Sequence, residues 1–466
     1  MWEFLAVLYV LVSFFLLWRE LHALLVVEKF SVSSFCRVWF VAVQFCLPCI
    51  LLVRYLLFGI RAESSYAAIN YDESTLLVAY IVLLFSIVAY LVLAASTRPR
   101  RICGEAFDSP RFEPCEYFKI SRIRVAALLC LAVGSVCLFL WSSAYGSIFG
   151  LIEVGNSVRG GWSTVHNSFA MFKHPSRLVL VASYIYFALL YSKRSKLISS
   201  DTLFFAISVY LSFLFLLAND GRLSMAFYFL GFFLVSLYMR VFIKRKPFDL
   251  RTGMTALVIC LFLVGLMLNM DAITYYIRHG EFPTIGTDDG SSFLDELLFD
   301  PASDMTVVSN LLDGKLDLMA AHDFLNGIFA WLPQSLTPSW VLRLWSVNTA
   351  AVNPMFTTGE IPCGLLAQGV YDLGLIGVVV LPFLYGRLLR FTDARIVPLI
   401  ANPFVMGLFA YLFTDLLRVV SYAMLYDFVL GLFPIAIAAC LYALSGLLTK
   451  GFKTEKGAIR RSEGAV

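Results

Sequence analysis

Apolar stretches of about 20 residues, the length that crosses a hydrocarbon core, recur along the whole chain between polar or charged positions. Lipid offers the backbone no hydrogen-bond partners, so only helices or closed barrels cross it. Uninterrupted apolar runs, rather than ten-residue alternation, select helices. Composition agrees: 60% of the residues are hydrophobic and 15% charged, and mean hydropathy is +0.81. Soluble domains are about 45–50% apolar and about 25% charged. The fold class expected is therefore an all-α polytopic membrane protein.

Eleven spans are expected, at 2–27, 38–58, 76–96, 125–147, 178–192, 202–218, 223–241, 252–270, 364–389, 397–417 and 423–448. The first lacks a basic leader and a cleavage site and reads as a span, not a signal peptide. The fifth and sixth are short, which suggests tilted packing around a cavity. The chain divides into an N-terminal bundle (1–270), a large loop (271–363) and C-terminal helices with a basic tail (364–466). The stretch from 364 to 389 reads as one continuous helix.

Basic residues fix the expected orientation. Twenty-five of the 36 lysines and arginines fall in alternate loops and the C-terminal tail, Lys29 and Arg37 being the first of them. Such loops face the cytoplasm. That places the C-terminus inside and, with an odd number of spans, the N-terminus outside. The large loop is then external. It is far longer than the usual helix connection, and loops of that length usually carry function. Its segments SSFLDELLFDPASDMTVVSNLL and HDFLNGIFAWLPQSL show helical apolar spacing, with Asp295, Asp300, Asp304, Asp313 and Asp317 expected to keep its surface acidic.

Several chemistries find little support. No Gly-rich phosphate cradle occurs in the cytoplasmic loops, so no nucleotide site is suggested. The net charge of +4 adds nothing for nucleic acid. Cys46 and Cys49 form a CxxC inside a span, where buried thiols are commonplace. Asp288-Asp289 in GTDDG reads as a turn, so no metal ligands are assigned and no cofactor is expected.

The residues that could carry chemistry lie at the outer ends of the spans. In Asn219-Asp220-Gly221-Arg222 a tight turn leads into a helix headed by arginine, an arrangement suited to an anion such as a diphosphate. The bland alternative is an interfacial arginine neutralising Asp220. Arg278, His279 and Glu281 follow the eighth span and combine a phosphate ligand with two possible bases. A solvated juxtamembrane run would look the same. Glu360 precedes the ninth span, and Gln368 and Asp372 share a helix face within it. Asp372 faces either a wet cavity or a neighbouring helix. Arg418 could grip substrate or simply pair with Asp415. Arg159 stands in a loop whose glycines permit close approach. Together these suggest outer arginines around a lipid-accessible cavity, suited to an anionic substrate such as a polyprenyl diphosphate.

Three segments carry a resemblance: NDGRLS between two outward-ending spans, LNGIFAWLPQSLTPSWV late in the loop, and GEIPCGLLAQGVYDLGLIGVVVLPFLYGRLL. With the span count and the dominant outer loop, they resemble the bacterial O-antigen polymerases of Wzy type. The resemblance implies a GT-C-type architecture in the bacterial inner membrane, with a periplasmic loop. It implies an inverting, metal-independent glycosyltransferase acting on undecaprenyl-diphosphate-linked oligosaccharide, with a chain-length regulator as a possible partner. Arg222 and Arg278 would hold the donor diphosphate, and Glu281, Glu360 or His279 would deprotonate the acceptor. Family members often carry a carboxylate where Gln368 stands. An O-antigen ligase would want a dominant histidine such as His279 or His322. A flippase would want internal repeats, which this chain lacks. A mannosyltransferase would want paired acids in the first outer loop, where only Asp72-Glu73 is found.

Overall fold

The computed structural model describes residues 1–27, 30–63, 67–98, 120–154, 167–192, 199–219, 222–243, 265, 276, 298–320, 322–329, 338, 340–355, 361–421 and 425–463. Ten stretches among the described residues are long and apolar enough to cross a membrane. The chain is an all-α polytopic membrane protein, with one hairpin of two-residue strands among the described residues, β1 (Ala62–Glu63) and β2 (Ala68–Ile69). Of the expected span 252–270, only Gly265 is described.

The N-terminal bundle contains α1 (Trp2–His22), α2 (Val32–Val41), α3 (Leu47–Phe58), α4 (Glu73–Thr97) and α5 (Ile120–Ser143). It continues with α6 (Leu178–Ser192), α7 (Ser200–Asn219) and α8 (Arg222–Tyr238). A π-turn at Ala42–Cys46 joins α2 to α3 as one span. The loop region supplies α9 (Phe299–Leu312), α10 (His322–Phe329) and α11 (Leu344–Val352). The C-terminal part supplies α12 (Leu365–Leu373), α13 (Gly377–Phe391), α14 (Pro403–Ser421) and α15 (Leu425–Glu463).

Helix α6 is the centre of the bundle because three neighbours meet it with glycine. In lipid, helices associate through close packing of small residues rather than through a hydrophobic driving force. A Cβ on Gly134 of α5 would lie 2.8 Å from the Val179 nitrogen, and one on Gly407 of α14 would lie 2.7 Å from the Ile185 nitrogen. A Cβ on Gly231 of α8 would strike the Tyr184 ring. The span here runs from Ala170 to Ser192, longer than expected. Its polar start, FKHPSR, reads as loop in sequence but forms further helical turns at Ala170–Phe172 and Lys173–Ser176.

The second span also starts early, at Val32. Asp393 explains it: its carboxylate accepts from the Val32 and Ser33 N–H groups at 2.8 and 3.1 Å, capping α2 from the far end of the chain. Arg37 therefore lies inside this span rather than in a cytoplasmic loop. It is buried, donating to Glu20 at 2.7 Å and to Thr97 at 2.8 Å. Glu20 also accepts from the Tyr90 hydroxyl. A buried charge needs such partners, and removing one typically costs about 3–5 kcal/mol.

The stretch 364–389 is not one helix. Gly374 adopts φ +61° and ψ −141°, a conformation open essentially to glycine alone, and ends α12. After a 3-10 turn at Gly374–Ile376, α13 departs with Gly377 packed directly on Gly369. Eight residues apart in sequence, these two glycines could not touch on a straight helix. The candidate span runs from Leu365 to Leu399, through this break and the turns at Thr392–Ile396 and Val397–Leu399. The next span consequently starts at Pro403, not 397.

The loop helices lie across one end of the bundle, hereafter the loop end. α9 packs on α4, α11 and α12, while α10 packs on the start of α15. A Cβ on Gly327 would lie 2.9 Å from Val429 Cβ, so glycine sets that approach. The amphipathic segments do form helices, but two of their acids are misplaced by a surface reading. Asp300 and Asp304 are each 2% exposed, turned into the bundle, whereas Asp313 and Asp317 are exposed.

Candidate functional site

At the loop end, the starts of α6 and α8 meet the ends of α7 and α14 around a cavity of about 310 Å³. Its charged lining consists of Arg177, Arg418 and Asp415, two cations to one anion. Arg177 is 5% exposed. Arg418 and Asp415 stand 3.8 Å apart, the outer limit of an ion pair. So Arg418 does meet Asp415, as one turn of helix allows, but loosely. Asp415 is itself held by α15, since a Cβ on Gly431 would strike its carboxylate.

The remaining wall is aromatic and precisely braced by hydrogen bonds. The Tyr184 hydroxyl donates to the Tyr228 carbonyl at 2.8 Å, and the Tyr228 hydroxyl donates to Ser183 Oγ at 2.9 Å. Ser224, in the first turn of α8, lines the cavity, and its buried Oγ has no hydrogen-bond partner among the described residues. A helix start adds N–H groups without intrahelical acceptors. A positive, half-open cavity with an unused hydroxyl and a helix N-terminus suits an anion.

Beside this cavity lies a set of buried carboxyls. Gly364 stands between the two: a Cβ there would strike Asp300 and would lie 2.9 Å from the Val420 carbonyl, two residues past Arg418. Asp300 and Asp304, one turn apart on α9, face the Gly364 and Ala367 N–H groups at the head of α12. Gln44 Nε2 donates to Asp300 at 3.2 Å, and Ser86 donates to Gln44 Oε1 at 3.2 Å. Burial pushes the Asp304 carboxyl up to about 7. Burial, then the charge of Asp304, pushes Asp300 well above the usual carboxylate range.

A third carboxyl, Asp323 of α10, accepts from the Tyr426 N–H at 2.9 Å and from Gln368 Nε2 at 3.2 Å. Gln368 Oε1 accepts from the Leu425 N–H at 3.0 Å. The pair thus caps α15. Burial pushes Asp323 up to about 7, with the carboxylates of Asp427 and Asp372 adding to it.

The structure sorts the sequence candidates. Arg418 lines the cationic cavity. Arg222 heads α8, two residues before the lining Ser224. Asp372 is buried at 4% exposure on α12, among the carboxyls rather than the arginines. Arg343, another outer arginine, lies over the Trp345 ring at 5.4 Å. Arg159, Arg278, His279, Glu281 and Glu360 lie outside the described residues. Sequence reasoning passed over Arg177, Asp300, Asp304 and Asp323. Arg177 heads an apolar run, which is also the usual place of an interfacial arginine. The spacing of Asp300 and Asp304 puts both on one helix face, the only signal they carried. Comparison of the chain with family models, curated proteins and solved structures finds no match.

Proposed function

We propose that this protein is a surface-glycan polymerase of the bacterial inner membrane, acting on the periplasmic side. It would transfer a growing glycan from undecaprenyl diphosphate to the terminal sugar of a lipid-linked repeat unit. The observation that carries this reading is the cavity in which Arg177 and Arg418 converge on the N-terminal turn of α8 at the loop end. Two guanidiniums against one carboxylate suit a diphosphate and offset its charge as it leaves.

The chemistry asked of the site is an inverting displacement. The acceptor hydroxyl oxygen bonds to the anomeric carbon, and the bond from that carbon to the diphosphate oxygen breaks. The electron pair leaves with undecaprenyl diphosphate, and a base takes the hydroxyl proton. Glu281, Glu360 and His279 are the bases proposed from sequence, with Arg222, Arg278 and Arg159 assisting the arginine cluster. Neither a metal nor another cofactor is required in this scheme, because arginine supplies the positive charge.

The test is the glycan ladder of cells lacking the gene. A single repeat attached to its acceptor, with no ladder, supports the polymerase. Lipid-linked polymer accumulating without attachment would identify a ligase instead. Repeats retained on the cytoplasmic face would identify a transporter of lipid-linked sugars.

A further inference from the structure

Helix α10 has the reverse of the polarity that a helix facing water shows. Its buried positions are Asp323, Asn326 and Gly327, whereas Phe324 and Ile328, one turn apart, are exposed. The inward face is fixed by its partners. Asp323 accepts from the Tyr426 N–H and from Gln368, and Gly327 packs against Val429. The helix therefore cannot roll its apolar side inward without giving up the cap on α15. Single exposed apolar side chains are ordinary, but polar groups turned inward beneath an apolar outer face are the pattern of a helix in lipid.

The chain leading into α10 follows the same pattern. Asp313, Lys315 and Asp317 make an exposed charged corner, with Lys315 paired to Asp313 at 2.7 Å. Just beyond it, exposed Leu318 lies against the helix break, 3.6 Å from where a Cβ on Gly374 would stand. The Met319 and Ala320 N–H groups donate to the Tyr371 and Asp372 carbonyls at 2.9 and 3.1 Å, giving the end of α12 protein partners. A broken helix at membrane depth needs such partners, because lipid supplies none. Past the break, Leu375 and Ile376 are exposed, and Val379 and Phe383 carry the exposed apolar surface along α13 within the candidate span. Exposed Trp340, whose ring meets that of His322 at 5.6 Å, stands at the start of α10. Tryptophan favours the boundary between membrane and water.

We propose that α10 and the adjoining α12–α13 break lie in the membrane boundary at the loop end, with Phe324 and Ile328 against lipid acyl chains. Lipid is the occupant because this surface continues into the exposed apolar side of a membrane-length helix. Helices that lie in the boundary sink about 5–10 Å into it. Part of the large loop region then rests in the bilayer and, through Asp323, holds the start of α15 from there. The inference makes no use of the polymerase reading.

The test takes the unaltered full-length chain in nanodiscs of phosphatidylethanolamine and phosphatidylglycerol that carry a phospholipid with a diazirine in its acyl chain. After irradiation, labelled peptides are mapped by mass spectrometry, and a parallel sample receives a water-soluble diazirine. Lipid is expected to label α10 at Phe324 and Ile328 as it labels Phe383 of α13, with residues 313–317 labelled only from water. Labelling of α10 from water as strongly as residues 313–317 would overturn the proposal. So would labelling of α10 from neither side while α13 is labelled from lipid, the result for a face covered by a second copy or another protein.

Discussion

At the scale of single residues, charge and burial divide the loop end into a cationic and a protonatable half. Arg177 and Arg418 belong to the first. Arg177→Ala is expected to insert normally yet to lose about 10²–10³-fold in polymer yield, the usual effect of removing one charge-stabilising donor. Arg177→Lys should retain a fraction of it. Polymer yield set against membrane abundance by immunoblot decides the matter; normal polymer from Arg177→Ala would remove the anion role. Asp304 and Asp323 belong to the second half. Their folded pKa values, raised to about 7, exceed the unfolded value of about 3.9. The folded protein therefore retains protons that the unfolded chain releases. Their stabilising contribution is full below pH of about 4 and declines as pH rises to about 7. Melting in detergent should fall by several degrees between pH 5 and pH 8, and Asp323→Asn should flatten that slope.

Single elements show where backbone conformation decides the architecture. Gly374 ends α12 with φ +61° and ψ −141° and lets α13 fold back against it. Gly374→Val is expected to cost about 1–3 kcal/mol through backbone strain alone. Thermal unfolding of the purified variant measures it, and an unchanged transition would mean the turn tolerates a side chain. The carboxyl network depends on a similar approach at Gly364, where Asp300 and α14 crowd a single glycine. Gly364→Ala should push α9 from α12 and expose their amides. Faster hydrogen exchange in residues 299–312, with α6 unaffected, is the expected readout.

For the whole molecule, the expected orientation rests on basic residues and the bundle on small ones. Positive-inside bias predicts a cytoplasmic C-terminus and an external loop region. Cysteines introduced at exposed Asp313 and in the tail, in a background without native thiols, should label oppositely with a membrane-impermeant maleimide. Labelling of both from the same side would overturn the topology, and an external tail with an internal Asp313 would reverse it. The α6-centred packing makes a related demand. Gly407→Leu has no room against the Ile185 backbone and should prevent stable assembly rather than merely slow the protein.

Apolar length and charge alone determined that this chain has many membrane-length helices and roughly where they lie. Those properties are legible because lipid imposes them on each segment separately. Arg418 and the Arg222 helix start were legible too, since charge at a span end is conspicuous in sequence. Tertiary structure decided what depends on distant partners. Asp393 sets the start of α2 across the length of the chain, Gly374 breaks an apolar run that hydropathy reads as continuous, and α15 takes its cap from Asp323 of α10. The burial of Asp300 and Asp304 follows from the same dependence. An amphipathic helix advertises that one face is apolar, but which of its polar residues turn inward depends on the glycine, glutamine and backbone N–H groups that other helices bring to meet them.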